Sequence, residues 1–514
     1  MLRINLRQLP MSMLRRSALV VSMLSASACL SDKAGEPTVA ASSVVVPYFT
    51  YSTKSDEARK HVQEGERLDD TGYFLKANDE FKRAVAADSS FAYAYYRVAT
   101  TSSDPAAYST NMKRAGARLA LANPVEQALI RSALRYVDND VQGAIEQTTK
   151  VTELEPKNAR GWMLLGLGLG GVNKTTEARA ALEKAIALDS VYALPLFNLA
   201  SSYVFTEPKD MVKAERYVLA GQKLWPNEPL SFDWLGRLRR AQNRLDEAIV
   251  AYSEEIKREP NNANSYQVRG NANVFAGHFD AARADYDAAF RVARPAERTN
   301  AAHIRTWVDG YEGNVDGTLR AVSELVRSID GLGVPAPRQD KANVRHEQAV
   351  IAILQRRFAV ADTAVKDYAI QQLGEAKAEN SPGMERYFAA EVAFLEGMLA
   401  AFRGDFAAAK ARADDIERMR KADNGPDKEY QVHGLRGITA VLEKNYAFAE
   451  NELRAADPAN SVMFVAYYRG LALEGLGRTA DARAQFQRVA TNNFSSAPYM
   501  AIRQDAIAKF KSMK

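Results

Sequence analysis

The stretch from Ala159 to Tyr192 constrains the fold more than any other part of this chain, because it predicts two short amphipathic helices joined by a tight turn. Apolar residues recur at helical spacing over 159–170 and 175–188, and turn-forming glycine and asparagine residues separate the two runs. Neither helix can bury its apolar face within one hairpin. The pair must therefore pack against further units of the same kind.

The same residue types recur along the chain at intervals of 34 residues. The two hairpins that start at Val125 and Ala159 share this spacing at Ala144 and Ala178, Val151 and Ala185, and Pro156 and Ser190. Further matches cover residues 58–290, weaken after residue 291 and return over 430–489. Self-similarity at a fixed period predicts an array of stacked repeats.

The repeat resembles the tetratricopeptide repeat (TPR), whose signature positions here hold Trp162, Leu165, Gly166, Ala178, Leu182 and Ala185. This resemblance implies an all-α fold, an α-solenoid of about twelve TPR-like helix pairs that form a superhelix. We expect an N-terminal TPR array over 56–330, a loop over 331–340, and a divergent TPR-like array with a capping helix over 341–514. Small residues at the eighth, twentieth and twenty-seventh positions would let the helices approach closely.

Residues 1–28 have the composition of a signal peptide. They contain four arginines and no acidic residue, and the apolar run 17–28 that follows is too short to span a bilayer as a helix. Residues 29–55 lack a helical period and predict a tether, although Val44–Tyr51 is apolar enough to pack against the first repeat.

Cys29 directly follows this apolar run and is the only cysteine in the sequence. The site resembles a bacterial lipobox, with Ala26 where leucine is usual, and the resemblance implies a TPR lipoprotein that is lipidated at Cys29. Because Leu30 rather than aspartate follows, the expected location is the periplasm, with a lipid anchor in the outer membrane. The alternative is cleavage near Ala28 by ordinary signal peptidase, with an incidental cysteine.

The overall charge gives no support for a nucleic-acid partner. The chain has 68 basic and 63 acidic residues, but four of the arginines lie in the predicted signal peptide, where there are no acids. The remainder therefore carries a net charge of +1, which is too balanced for a basic binding surface to be inferred from composition.

Three motifs could suggest chemistry, and each lacks the context it needs. The glycines of GLGLGG (166–171) lie in a predicted helix rather than after a strand, so close packing explains them better than a phosphate-binding loop. His346-Glu347 begins a zinc-protease motif, but Val350 occupies the position of the second histidine. Adjacent carboxylates such as Asp414-Asp415 point in different directions from a helix. We predict no metal, no cofactor and no enzymatic activity, while a catalytic pair assembled only by the fold stays open.

The TPR resemblance also implies where a partner binds. In that family the first helix of each pair lines a concave groove, and the corresponding positions here are Arg160, Met163, Leu167, Phe197, Asn198, Ser201, Asp233, Arg237, Arg240, Asn264, Gln267 and Asn271. Asn198 matches an asparagine that the family often uses to hold a peptide backbone. Met163 and Leu167 replace the lysine and asparagine of the carboxylate-clamp subfamily, which disfavours a partner bound by its C-terminal carboxylate.

The expected function is a non-catalytic protein–protein interaction scaffold at the bacterial cell envelope, with envelope proteins or peptides as partners and a lipid anchor as the sole membrane contact. An alternative is a glycan- or solute-binding envelope lipoprotein, which would need exposed aromatic residues in one pocket. Trp225, Trp234 and Trp307 are the tryptophans least constrained by the repeat pattern. An unrecognised hydrolase would need a converging set of acid, base and nucleophile.

Overall fold

The computed structural model describes residues 44, 46–137, 140–206, 208–378, 382–421, 426–457, 462–494 and 497–513. The predicted signal peptide and Cys29 lie outside these residues. Over the described ranges the regular structure is helical and contains no strand, so the all-α prediction is confirmed. None of the described helices is long and apolar enough to cross a membrane.

Helices follow one another in hairpins along the whole described chain. Up to residue 292 they are α1 (Asp56–Thr71), α2 (Phe74–Ala87), α3 (Ala92–Thr100), α4 (Pro105–Ala117), α5 (Pro124–Val137), α6 (Val141–Leu154), α7 (Ala159–Gly171), α8 (Thr175–Leu188), α9 (Leu194–Phe205), α10 (Met211–Leu224), α11 (Pro229–Ala241), α12 (Leu245–Arg258), α13 (Ala263–Ala276) and α14 (Phe279–Val292). From residue 298 they are α15 (Arg298–Tyr311), α16 (Val315–Ser328), α17 (Pro337–Leu354), α18 (Phe358–Ala378), α19 (Pro382–Arg403), α20 (Phe406–Met419), α21 (Pro426–Leu442), α22 (Tyr446–Ala456), α23 (Met463–Gly475), α24 (Thr479–Thr491) and α25 (Ala497–Ser512).

Glycine lets the two helices of a hairpin approach closely. A Cβ atom on Gly65 would lie 2.5 Å from the ring of Phe81, and one on Gly470 would lie 2.8 Å from the ring of Phe486. Gly236 has the same relationship to Tyr252. In each hairpin the large side chain comes sixteen residues after the glycine, so it crosses from the second helix and fills the space above the first.

The chain divides into two compact units. Unit 1 holds residues 44–272 and 288–298, and unit 2 holds residues 273–287 and 299–513. The loop expected over 331–340 falls inside unit 2, where a short 3₁₀ helix (Ile329–Leu332) precedes it and α17 already begins at Pro337. Proline is well suited to the first turn of a helix, which explains why the helix starts within the predicted loop.

Unit 1 bends so that its first hairpin meets helices from later in the sequence. Gly72 follows α1 in the left-handed conformation, with φ = 99°, and a Cβ there would lie 2.8 Å from the backbone nitrogen of Leu230. Lys76 Nζ lies 3.3 Å from Glu259 Oε1. The α1–α2 hairpin therefore packs against the start of α11 and the end of α12, and it encloses the inner faces of the helices between them.

Unit 2 contains the longest of the described helices, α18 and α19, and the C-terminal helix α25, whose bounds are close to those of the predicted capping helix. Tyr499 on α25 lies with its ring centroid 6.3 Å from that of Phe275. Gln504 Nε2 donates a hydrogen bond to the carbonyl oxygen of Tyr311 at 3.3 Å. A Cβ on Gly310 would overlap Met500, so α15 and α25 are in close contact.

Candidate functional site

Residues 46–53, which we call the strap, lie in the region predicted to be a tether but are packed inside unit 1. Val46 is 1% exposed and belongs to an apolar cluster with Met163, Phe197 and Trp234. Phe49 is 4% exposed and belongs to a second cluster that contains residues of α1, α2 and α6. The strap therefore contacts several repeats and not only the first, and it bridges two parts of the core.

The N-terminal half of the strap is held through its backbone carbonyl groups by the start of α7. Arg160 Nε donates to the carbonyl oxygen of Pro47 at 2.8 Å. Asn158 Nδ2 donates to the carbonyl oxygen of Tyr48, also at 2.8 Å. Because these bonds involve the main chain of the strap, they fix an extended backbone without selecting its side chains.

The C-terminal half of the strap is also held through its backbone, here by both N–H and carbonyl groups. The Thr50 backbone N–H donates to Glu155 Oε1 at 3.1 Å, and Asn123 Nδ2 donates to the Thr50 carbonyl oxygen at 2.7 Å. The Ser52 backbone N–H donates to Glu126 Oε1 at 2.9 Å. Each such bond contributes roughly 0.5–1.5 kcal/mol net, with more where a charged group takes part.

Several side chains that form hydrogen bonds with the strap backbone are held in place because they also cap helices. Asn123 Oδ1 accepts from the Glu126 backbone N–H at 3.0 Å, and Glu126 Oε2 accepts from the Asn123 backbone N–H at 3.1 Å. This reciprocal pair is a capping box at the start of α5. Asn158 caps α7 through Oδ1, which accepts from the Arg160 backbone N–H at 3.0 Å. The polar groups that meet the strap are thus fixed by the helices themselves.

A buried group of charges, which we call the Arg160 cluster, lies beside the strap and comprises Glu66, Asp69, Asp70, Arg97 and Arg160. Arg160 bridges two carboxylates of α1, since its Nη1 lies 2.7 Å from Glu66 Oε2 and its Nη2 lies 2.5 Å from Asp70 Oδ2. Arg97 Nε lies 3.0 Å from Glu66 Oε1, and its Nη2 lies 2.7 Å from Asp69 Oδ2. Both guanidinium groups are therefore paired with carboxylates.

Burial raises the pKa of these carboxyl groups, whereas pairing with arginine lowers it. Burial raises the pKa of Asp70 to about 6, even though the nearby Arg160 lowers it. Burial also raises the pKa of Asp69 above its usual range. Burial acts the same way on Glu66, but Arg160, Arg97 and the hydrogen bond from the Tyr93 hydroxyl together lower its pKa. The cluster is a connected network that fixes α1 to α3 and α7.

The same hairpin geometry recurs in several of the helix pairs. A Cβ atom on Gly166 would meet Leu182, as one on Gly65 would meet Phe81 and one on Gly236 would meet Tyr252. The two residues of each pair are sixteen positions apart, which is the spacing that the sequence pattern requires. In this spacing the helix pairs resemble tetratricopeptide repeats. No protein-family model and no curated protein matches the sequence.

Several solved TPR structures are similar to parts of this chain. MamA is 23% identical, with 31% of this chain and 93% of that chain covered and a TM-score of 0.27. YrrB, described as a TPR protein with an unusual peptide-binding site, is 18% identical, with 36% and 92% covered and a TM-score of 0.27. A tetratricopeptide repeat protein from Parabacteroides merdae is 15% identical, with 62% and 98% covered and a TM-score of 0.32.

The TPR register predicts that twelve residues line an open groove, and half of them are buried in unit 1. Six are buried, namely Arg160, Met163, Phe197, Ser201, Asp233 and Arg240. Five are partly exposed, namely Leu167, Asn198, Arg237, Gln267 and Asn271, while Asn264 is exposed. The expectation of an open surface is wrong for the buried six. Three of them lie against the strap, since Arg160 bonds to Pro47 and Val46 shares a cluster with Met163 and Phe197. A role in partner binding stays a prediction for all of them.

Two of the predicted groove residues are already bonded within their own TPR helix. Asn198 Nδ2 donates to the carbonyl oxygen of Leu194 at 3.0 Å. Arg237 Nε lies 2.7 Å from Asp233 Oδ2. Of the residues that bind the strap backbone, Arg160 is a predicted groove position. Asn123, Glu126, Glu155 and Asn158 lie at the ends of helices, outside the groove positions of the TPR register.

The other sequence motifs have packing roles in this TPR array. The glycine run lies in α7, where a Cβ on Gly166 would be 2.8 Å from Leu182 Cγ. His346 Nε2 lies 3.4 Å from Glu391 Oε2, and among the described residues no group of three or more histidine, cysteine, aspartate or glutamate side chains could hold a metal ion. Trp225, Trp234 and Trp307 are buried, so they do not supply the exposed aromatic pocket that glycan binding needs.

Proposed function

We propose that this protein is a non-catalytic scaffold whose unit 1 binds an extended segment of another protein along the first helices of its TPR hairpins (α5, α7, α9, α11 and α13). The strap is the observation that supports the proposal. An extended backbone lies across the starts of α5 and α7, and side chains of Asn123, Asn158 and Arg160 donate hydrogen bonds to its carbonyl groups. Recognition of extended segments through main-chain bonds is a common way for proteins to bind peptides.

Site-specific photo-crosslinking tests this proposal in living cells. A benzoylphenylalanine residue in place of Asn264, which is exposed at the start of α13, would lie at the predicted partner surface. The same residue in place of Val212, which is 81% exposed at the start of a second helix, provides the control. We expect discrete protein adducts from position 264 and none of these from position 212. Identical adducts from both positions, or none from 264, would contradict the proposal.

We also propose that the scaffold works at the bacterial cell envelope, in the periplasm, with Cys29 lipidated and the outer membrane as its location. The support is the composition of residues 1–28 and the presence of the single cysteine directly after them. Metabolic labelling with a palmitate analogue should mark the wild-type protein and not Cys29→Ser. Labelling that persists in the variant would reject the anchor.

A further inference from the structure

The strap is bound like a peptide ligand rather than like an element of the repeat array. It makes no helix. Apart from a bond from Arg59 at its C-terminal end, its backbone bonds are made with side chains that are 73 to 113 residues away in the sequence. Thr53 marks its C-terminal end, where Arg59 Nη2 donates to the Thr53 carbonyl oxygen at 2.7 Å. Directly afterwards Ser55 caps α1, which begins at Asp56.

The contacts define which sequences would fit the same position. Main-chain bonds accept any residue at 48 and any residue except proline at 50 and 52, where the backbone N–H donates. The side chains of Val46 and Phe49 each enter an apolar cluster. Pro47 forms its hydrogen bond through its carbonyl group and needs no backbone N–H. Proline also favours the extended conformation that this position requires. Selectivity therefore rests first on an aliphatic residue followed three positions later by an aromatic residue. Tyr51, which packs on Phe91 and Tyr93, and Thr53, whose hydroxyl donates to Asp88, add further side-chain contacts.

The site would keep its shape without the strap. Arg160 is paired with Glu66 and Asp70, and Asn123 is held by the capping box with Glu126. Asn158 remains bonded to the backbone of α7. None of these bonds involves the strap, so its departure would leave a preformed site whose remaining donors and acceptors face water.

We propose that the strap is a built-in ligand that occupies the partner site of unit 1, and that the partner supplies an extended segment with the same aliphatic–x–x–aromatic pattern in exchange for it. This inference rests on the proposed scaffold function and specifies the chemistry of the partner. A tethered ligand has an effective concentration on the order of millimolar, so a partner segment competes with the strap before it binds.

A labelled synthetic peptide with the sequence of residues 44–54 (VVVPYFTYSTK) tests the exchange by fluorescence anisotropy. The receptor is the full mature chain carrying Val46→Ser and Phe49→Ser, with Val212→Ser as the control at an exposed position. We expect the double variant to bind the peptide at least about tenfold more tightly than the wild type and the control, because its strap competes poorly. A peptide with serine at the Val46 and Phe49 positions should not bind. Equal binding by all receptors, or no binding by a folded double variant, would overturn the proposal.

A second measurement covers the case in which the double variant does not fold. A specific protease site inserted after the exposed Lys54 allows the strap to be cut in the folded wild-type protein. Incubation with excess labelled peptide should then replace the cut strap, as followed by mass spectrometry of the gel-filtered protein. A strap that stays bound would show that it is a permanent part of the core. Peptide exchange without adducts at position 264 would refute the scaffold function, whereas adducts without exchange would refute only the present inference.

Discussion

Asn158 donates a hydrogen bond from Nδ2 to the carbonyl oxygen of Tyr48 at 2.8 Å, across 110 residues of sequence. The same side chain accepts from the backbone of α7 through Oδ1, so one amide caps a helix and holds the strap. Asn123 combines the two roles at the start of α5. Serine or aspartate could cap these helices equally well, but only asparagine adds an amide donor for the strap.

Asn123→Asp separates the two roles of this side chain. Aspartate keeps the acceptor that caps α5 but lacks the donor to the Thr50 carbonyl oxygen. Loss of one such bond, worth roughly 0.5–1.5 kcal/mol, should raise chymotryptic cleavage after Tyr48, Phe49 and Tyr51 about 2- to 10-fold. Asn314→Asp is the matched control, because Asn314 caps α16 in unit 2. Equal cleavage of both variants would show that the Asn123 amide does not hold the strap.

Two glycines of the same helix should respond oppositely to alanine. A Cβ on Gly166 would lie 2.8 Å from Leu182 Cγ, so Gly166→Ala should destabilise unit 1 by about 1–3 kcal/mol. The exposed Gly170 has only Ala178 Cβ near that position, at 3.9 Å, so Gly170→Ala should stabilise the helix by roughly 0.5–1 kcal/mol. Urea unfolding followed by circular dichroism measures both changes. A loss of the same size in both variants would rule out close packing as the reason for the glycine run.

The helices could be predicted because their signals are local. The expected bounds 159–170 and 175–188 compare with Ala159–Gly171 and Thr175–Leu188, since apolar spacing and turn residues fix such helices within a few residues of sequence. The close contact of Gly166 with Leu182 follows from the same repeat pattern. These features depend on one hairpin at a time.

The strap could not be predicted, because it depends on contacts between distant parts of the chain. Asn158 looks like an ordinary helix cap in the sequence, and nothing in residues 46–53 indicates its partner. The Arg160 cluster also depends on contacts between distant parts of the chain, because the carboxylates that pair with Arg160 lie about ninety residues before it. The TPR register gives the direction of a residue within its hairpin, whereas its exposure depends on what covers that face.

The raised pKa of Asp70 gives the stability of unit 1 a definite pH dependence. Its pKa is about 6 in the folded protein and near 3.8 in the unfolded chain, so between these pH values the folded state binds more protons. Stability due to this group is therefore greatest below pH 4 and falls as the pH rises to about 6, by up to about 3 kcal/mol.

Asp70→Asn isolates this effect. The free energy of unfolding of the wild type minus that of the variant should fall between pH 4 and pH 6 and then stay level above pH 7. Asp56→Asn is the control on the same helix, because the Asp56 side chain is 82% exposed. Denaturant titrations at a series of pH values give both differences. A difference that rises with pH would mean that Arg160 outweighs burial at Asp70.

Gly72 tests whether the closure of unit 1 holds the strap in place. Gly72 and Gly277 both have positive φ, at 99° and 83°, so alanine should cost each roughly 1–2 kcal/mol of backbone strain. Only at Gly72 would the added Cβ also meet the backbone of Leu230, at 2.8 Å, whereas Gly277 has nothing within 4 Å. Gly72→Ala should therefore destabilise the protein more than Gly277→Ala and increase chymotryptic cleavage of the strap. If both variants lose the same stability and keep the strap equally protected, the contact of Gly72 with α11 does not help to enclose it.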